Sequence, residues 1–217
     1  MSKSILLAIE TSSTICSAAV LKDNNCIAIK ESNSPMMAAE ILPIYVKEVL
    51  KNTNIKPNMI NAVAVSIGPG SFTGLRIGLS FAKGFAMAHS LPILPVPTMQ
   101  SIAFGLQKEK PLQGLFYSHG EFIFYQKYIW KDNIPDFIDK PILEEGVKIY
   151  KRINFKNMTF HWNCNNFIEN MKNIVSIKPS AKLVGSLGFF LMDDLIKAKP
   201  FELEPDYIAP FKISYKK

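Results

Sequence analysis

Gly68-Pro69-Gly70-Ser71-Phe72-Thr73-Gly74-Leu75-Arg76-Ile77-Gly78 joins two segments of different period. Before it, residues 62–67 (AVAVSI) form a short apolar run rich in β-branched side chains, which reads as a buried strand. After it, residues 73–89 carry apolar side chains at helical spacing. Gly-Pro-Gly suits neither element and predicts a sharp turn between them. A strand that ends this way and opens into a helix gathers backbone N–H groups at the helix N-terminus, with the Ser71 and Thr73 hydroxyls beside them. That geometry suits an anion. It is not the common nucleotide P-loop, because no Gly-Lys-Ser/Thr follows. A tight turn with a capped helix accounts for the same residues without a ligand.

Working outward gives the order of elements. Residues 4–9 read as a buried strand, followed by the hydroxyl-rich turn Glu10-Thr11-Ser12-Ser13-Thr14 and a second strand over 16–21. Lys22-Asp23-Asn24-Asn25 is a hairpin turn by composition, and 26–31 make a third strand. Ser34 is the expected cap, and Pro35 the first residue, of a helix reaching about Asn52, with Pro43 expected to bend or break it. Residues 93–96 are the next strand. Three hairpin-linked strands, then helix, strand, helix and strand, form the ribonuclease-H-like unit of nucleases and of the actin, sugar-kinase and heat-shock ATPases.

Residues 114–117 and 122–128 read as a hairpin that echoes the first two strands. A helical stretch is expected around 136–150, followed by an ambiguous run to 170, and residues 183–188 lead into 189–197. The expected architecture is therefore an α/β actin-like ATPase fold of two tandem units, the second degenerate. The first spans residues 1–108 and carries partner-docking helices; the second spans 109–217, with the boundary where Lys, Glu and Pro cluster near 108–111.

Within the helix after the glycine turn, Gly74, Gly78, Ala82 and Ala86 recur at every fourth residue. A glycine inside a helix costs about 1 kcal/mol relative to alanine, so this smooth stripe requires a close approach from the chain's own sheet or from a partner's helix. Met36, Met37 and Ile41 on the preceding helix are flexible apolar side chains suited to the same partner. Arg76 stands out because only two of the 25 basic residues are arginine, and its planar fork suits carboxylate pairing. These seven residues (Met36, Met37, Ile41, Gly74, Arg76, Gly78 and Ala82) are the candidate partner interface. Thr11, Ser12, Ser13, Gly68, Gly70, Ser71 and Thr73 are the candidate nucleotide site.

Other chemistry finds little footing. The 217 residues are 48% hydrophobic and 20% charged, ordinary for a globular protein long enough to build a core without disulfides. No run approaches the roughly 20 apolar residues of a membrane-spanning helix, no signal-peptide pattern precedes residue 4, and three scattered cysteines suit a cytosolic protein. The net charge of +7 is spread along the chain without a run of like charges, so no basic–aromatic module for single-stranded RNA is expected. His89, His119 and His161 are isolated, whereas a metal site needs converging ligands. Only Glu10 matches the carboxylates that a two-metal nuclease of this fold would need.

The motifs Ile9-Glu10-Thr11-Ser12-Ser13, Cys16-Ser17-Ala18-Ala19-Val20-Leu21 and Ile41-Leu42-Pro43, and above all GPGSFTGLRIG, resemble the bacterial TsaB (YeaZ) family. The likeness covers residues 4–105 and returns at Pro205-Asp206-Tyr207-Ile208. It implies an actin-like ATPase fold and a non-catalytic role in making threonylcarbamoyladenosine beside the tRNA anticodon, as the partner that the catalytic TsaD subunit needs. It also implies a TsaE-like ATPase in the same system, tRNA reached through the complex, and a homodimer when TsaD is absent. Three departures weigh against nucleotide or metal chemistry: Met37 stands where members often carry histidine, Glu10 where aspartate is usual, and Tyr117-Ser118-His119 where an Asp-Ala-Arg-like triplet is common. ATP or ADP would at most bind weakly. The competing function is an ATPase or sugar-kinase-like enzyme of the same fold.

Overall fold

The computed structural model describes residues 4–34, 36–168, 171–196 and 202–208. Its first sheet comprises β1 (Ile5–Glu10), β2 (Ile15–Lys22), β3 (Asn25–Asn33), β4 (Ala62–Gly68) and β5 (Ile93–Pro97), in the order β3-β2-β1-β4-β5. The first three strands are antiparallel neighbours, whereas β1, β4 and β5 run parallel. The parallel steps need crossovers, and the helices α1 (Ala38–Thr53) and α2 (Phe72–His89) supply them. Both pack on one face of the sheet, where Leu42, Val46, Val49, Leu79 and Ala82 close over Leu7, Ile9, Val63 and Val65.

The second sheet repeats this plan. It contains β6 (Gln113–His119), β7 (Phe122–Lys131), β8 (Ile134–Phe137), β9 (Ile142–Glu145), β10 (Thr159–Trp162) and β11 (Ile174–Ser176). The order β9-β7-β6-β10-β11 has the same antiparallel and parallel steps as β3-β2-β1-β4-β5. Even a turn recurs: Asp23-Asn24 between β2 and β3, and Asp132-Asn133 between β7 and β8, all take positive φ. That is the two-residue hairpin turn whose twist matches the strands and which Asn and Asp tolerate. The duplication is that of the actin-like ATPase fold. Its second copy is worn down, since the crossovers are α4 (Gly146–Tyr150) and a single 3₁₀ turn, Asn165–Phe167.

Neither half closes its own core. Helix α5 (Ala181–Phe190) lies far along the chain, yet its Ala181, Val184 and Leu187 cover the other face of the first sheet against Leu6, Ala8, Ala19 and Ala64. In exchange, α3 (Thr98–Phe104), which follows β5, places Met99, Ile102 and Ala103 against Phe116, Phe124 and Phe160 of the second sheet. A boundary near residue 108 thus separates the sheets but not the cores. The short α6 (Met192–Leu195) follows α5.

Local expectations fail at three places. Ser34 does not cap α1, because its hydroxyl bonds to that of Ser32 at 2.6 Å and its N–H donates to Thr14 O at 3.0 Å. Met37 precedes the helix instead, with no side-chain cap, and α1 runs through the exposed Pro43. Pro35 lies outside the described residues. The helix expected over 136–150 is helical only in the five residues of α4, because the Asp132-Asn133 turn folds β8 back along β7 and residues 142–145 pair with β7 as β9. Residues 183–188 and 189–190 belong to one helix, α5; Lys197 lies outside the described residues.

Candidate functional site

The two hydroxyl-rich turns meet at the carboxyl ends of β1 and β4, but they face each other. Ser71 N–H donates to Ser12 O at 2.6 Å and Thr11 Oγ1 donates to Gly74 O at 2.8 Å. Glycine is required for this approach: a Cβ on Gly70 would overlap Ser12, and one on Gly74 would overlap the Thr11 carbonyl. Gly68 takes φ +127°, and a Cβ there would lie 2.8 Å from Asp206 O. The Ser71 hydroxyl accepts from Gly74 N–H at 3.2 Å and so caps α2, while Ser13 Oγ accepts from Ile15 N–H at 3.0 Å. Thr73 is exposed on the first turn of α2. Thr11, Ser12, Gly68, Gly70 and Ser71 are thus brought together, with Ser13 and Thr73 at the edge; Thr11 and Ser71 are bonded to Gly74 and Ser71 also to Ser12, while the buried Ser12 hydroxyl has no hydrogen-bond partner among the described residues.

The chain supplies its own acid here. Glu10 is fully buried and its Oε1 accepts from Ser12 N–H. Burial pushes its carboxyl up to about 7, against the pull of the Ser12 hydroxyl and amide and of the Ser66 hydroxyl. A neutral carboxyl in an apolar site is the expected response to desolvation. A phosphate arriving at this turn would have to displace Glu10 from the Ser12 amide.

Alongside lies a cleft of about 520 Å³ between the two sheets, lined by Gly68, Pro69 and Pro97 on one side and Gln126, Phe137 and Lys140 on the other. Asp206, Tyr207 and Ile208 border it. Asp206 N–H donates to Ile67 O at 2.7 Å, extending the end of β4. Tyr207 stacks on Phe72 with ring centroids 4.6 Å apart and accepts a 2.8 Å hydrogen bond from Arg76 Nε. The Arg76 guanidinium lies 3.7 Å from the Phe72 ring centroid. Arg76 therefore turns back onto its own chain, and the unusual arginine is explained by a stacking role that lysine performs less well. Arg76 remains exposed on α2.

The glycine stripe is also corrected. A Cβ on Gly78 would overlap Thr11 Oγ1, and Ala82 and Ala86 are buried against the first sheet. Gly74, Gly78 and Ala82 are the contact of α2 with its own sheet. The surface α2 does present holds Ser80, Gly84 and Ala88, small residues at the same four-residue spacing, with Met87 beside them. Nothing lies within 4 Å of a Cβ built on Gly84. On α1 and just before it, Met36 (fully exposed), Met37 and Ile44 are open, and Ile41 is half-buried. The spacing of Ser80, Gly84 and Ala88 is as legible as that of the buried stripe, and only burial separates the two.

The histidines have structural partners. His89 packs on Phe85, His119 Nδ1 lies 2.9 Å from Ser118 Oγ, and His161 Nδ1 accepts from Cys164 N–H at 3.4 Å. Among the described residues, no helix is long and apolar enough to cross a membrane.

With this geometry in hand, comparisons place the chain. The family described as TsaD: tRNA N6-adenosine threonylcarbamoyltransferase matches residues 37–152. A curated TsaB, "tRNA threonylcarbamoyladenosine biosynthesis protein TsaB" of Buchnera aphidicola subsp. Acyrthosiphon pisum (strain APS), is 28% identical over 92% of this chain and 94% of its own. The chain belongs to the TsaB family. The transferase of Streptococcus sanguinis (strain SK36), "tRNA N6-adenosine threonylcarbamoyltransferase", is 36% identical over 50% of this chain but only 37% of its own length. The likeness to the transferase is thus confined to part of that enzyme. The crystal structure of YeaZ from Pseudomonas aeruginosa superposes with a TM-score of 0.80 over 94% of this chain and 99% of its own; at 21% identity it speaks for the fold alone.

Proposed function

We propose that this chain works in threonylcarbamoyladenosine biosynthesis, in the cytoplasm, as the non-catalytic partner of a TsaD-like transferase. The observation that carries the reading is the open α1–α2 face. Met36, Met37 and Ile44 are exposed on and just before α1, Met87 is exposed on α2, and Ser80, Gly84 and Ala88 leave α2 a smooth outer strip with open space at Gly84 for another helix. A stable complex through this face would have to bury roughly 1,200–2,000 Å². The relatives' names supply the pathway. A TsaE-like ATPase joins through the pair, tRNA is brought to it, and the same face pairs with a second copy when the transferase is missing. An independent ATPase or sugar-kinase activity is disfavoured, because the two turns that would hold phosphate are bonded to each other. The test is co-purification with the TsaD-like protein of the same organism, followed by threonylcarbamoylation of tRNA with and without this chain. Full modification without it, or no co-purification, overturns the reading.

A further inference from the structure

The second unit carries a surface that the first does not. Its crossover ends after five residues of α4, and the chain then loops through residues 151–158 to reach β10. This loop is rigidly mounted. Ile149 and Ile153 are buried with Leu115, Ile123 and Tyr125. The buried Gln113 amide donates to Asn154 O at 2.8 Å, and its carbonyl oxygen accepts from Asn154 N–H at 3.3 Å. From this mount Tyr150 and Phe155 stand out, 42% and 44% exposed, with ring centroids 5.0 Å apart and planes at 62°.

The surrounding charge is basic. Glu144 and Glu145 are engaged, the first by the fork of Arg152 at 2.9 and 3.2 Å and the second by Lys148 at 3.3 Å. Lys151 and Lys156 are exposed, and among the described residues their ammonium groups meet no acid. Lys172 joins them from elsewhere in sequence, because the side-chain amide of its neighbour Asn173 donates to the carbonyls of Phe155 and Lys156, at 3.3 Å each. Exposed aromatic faces on a fixed loop, with exposed lysines about them, match unpaired nucleotides: bases stack on the rings and phosphates meet the ammonium groups. An acidic protein surface would use the lysines but not the paired rings.

We propose that Tyr150, Phe155, Lys151, Lys156 and Lys172 form a contact surface for an unpaired RNA segment. On the reading given under Proposed function, the chain then holds the tRNA directly as well as through its partner. In sequence Tyr150, Lys151, Phe155 and Lys156 fall within seven residues, and only Lys172 is remote; the fold brings the two rings together and the segment carrying Asn173 alongside.

The test uses the full chain and a fluorescently labelled anticodon stem–loop RNA, with binding read by anisotropy across a salt series. Tyr150→Ala with Phe155→Ala is expected to weaken binding about tenfold or more. Replacing Lys151, Lys156 and Lys172 by Gln should make the slope of log K against log salt shallower by about 2, from about 0.7 per phosphate contact. Both variants should melt like the parent, because the altered groups are exposed, and both should still co-purify with the TsaD-like protein. Failure of the parent chain to bind the RNA at low salt, or unchanged affinity and slope in both variants, overturns the proposal. So does loss of transferase docking in place of RNA binding, which would mark the face as a protein contact. A chain that binds RNA as described but never binds the transferase would overturn the proposed function and leave this surface standing.

Discussion

The two units share a strand order and differ in what connects the strands. In the first, β3 leads to β4 through 16 residues of α1, and β4 to β5 through 18 residues of α2. In the second, the corresponding connections contain five residues of α4 and a three-residue 3₁₀ turn. The strands record the difference. β2 is buried at every position but Lys22, as a strand covered on both faces must be, whereas its counterpart β7 has exposed positions at Phe122, Lys127 and Ile129. Long crossovers give the first unit a broad helical face to offer a folded partner. Short ones leave the second unit loops, and loops on a rigid scaffold are where binding residues gather.

The comparison breaks most visibly at Gly78. Gly78→Leu forces four carbons between α2 and Thr11 in the first unit's core, and should cost about 3 kcal/mol or more, enough to threaten the fold. Circular dichroism and thermal melting read this directly; a folded, unaltered Gly78→Leu protein would show that α2 does not lean on its own sheet.

Glu10 tests the junction of the two turns. Its carboxyl titrates near 4.5 when the chain is unfolded and near 7 when buried. Below the lower value it is neutral in both states. Between the two only the unfolded chain ionises, so stability falls as pH rises, and above the upper value a penalty of about 3 kcal/mol persists. Glu10→Gln keeps an acceptor for Ser12 N–H and removes the titration. The expected outcome is a gain of up to about 3 kcal/mol at about pH 8, little change below about pH 4.5, and a flatter profile between them. Urea unfolding across this range measures it; a pH profile unaltered by the substitution would show that Glu10 is ionised in the fold.

The outer side of α2 sharpens the contrast with Gly78. Gly84→Leu meets no neighbour within the chain, so melting should be nearly unchanged while affinity for the TsaD-like partner falls about tenfold or more, equivalent to about 1.4 kcal/mol or more. Retained affinity in titration calorimetry would move the docking surface away from α2.

The smallest effect is expected at Arg76. Arg76→Lys loses the fork over Phe72 and the bond to Tyr207, worth about 1 kcal/mol at an exposed site. Melting should drop by about 2–4 °C for a chain of this size, with partner affinity unchanged. A loss of affinity without a loss of stability would return Arg76 to the interface.

Element type in the first unit was largely legible, because buried parallel strands and long amphipathic helices leave periods that survive tertiary context. The GPG turn, the Asp23-Asn24 hairpin and the order of elements through β5 could be read from local chemistry alone. The short strands of the second unit left weaker traces, so β8 and β9 were hidden in a stretch that reads as helix. The candidate anion site was legible as residues but not as a state: the sequence puts hydroxyls and glycines at two turns, and only their approach shows them bonded to each other with Glu10 on the Ser12 amide.

The residues alone fixed the succession of elements along the first unit, the sharp turn into α2 and the need for small residues along that helix. Each follows from steric or hydrogen-bonding constraints within a few residues. Only the tertiary structure decided which small stripe of α2 is inside, where Arg76 turns, that α3 and α5 exchange sheets, and that Asn173 is bonded to the backbone of Phe155 and Lys156. Those outcomes depend on which surfaces the compact chain buries against one another, and a four-residue spacing reads the same on either side of a helix.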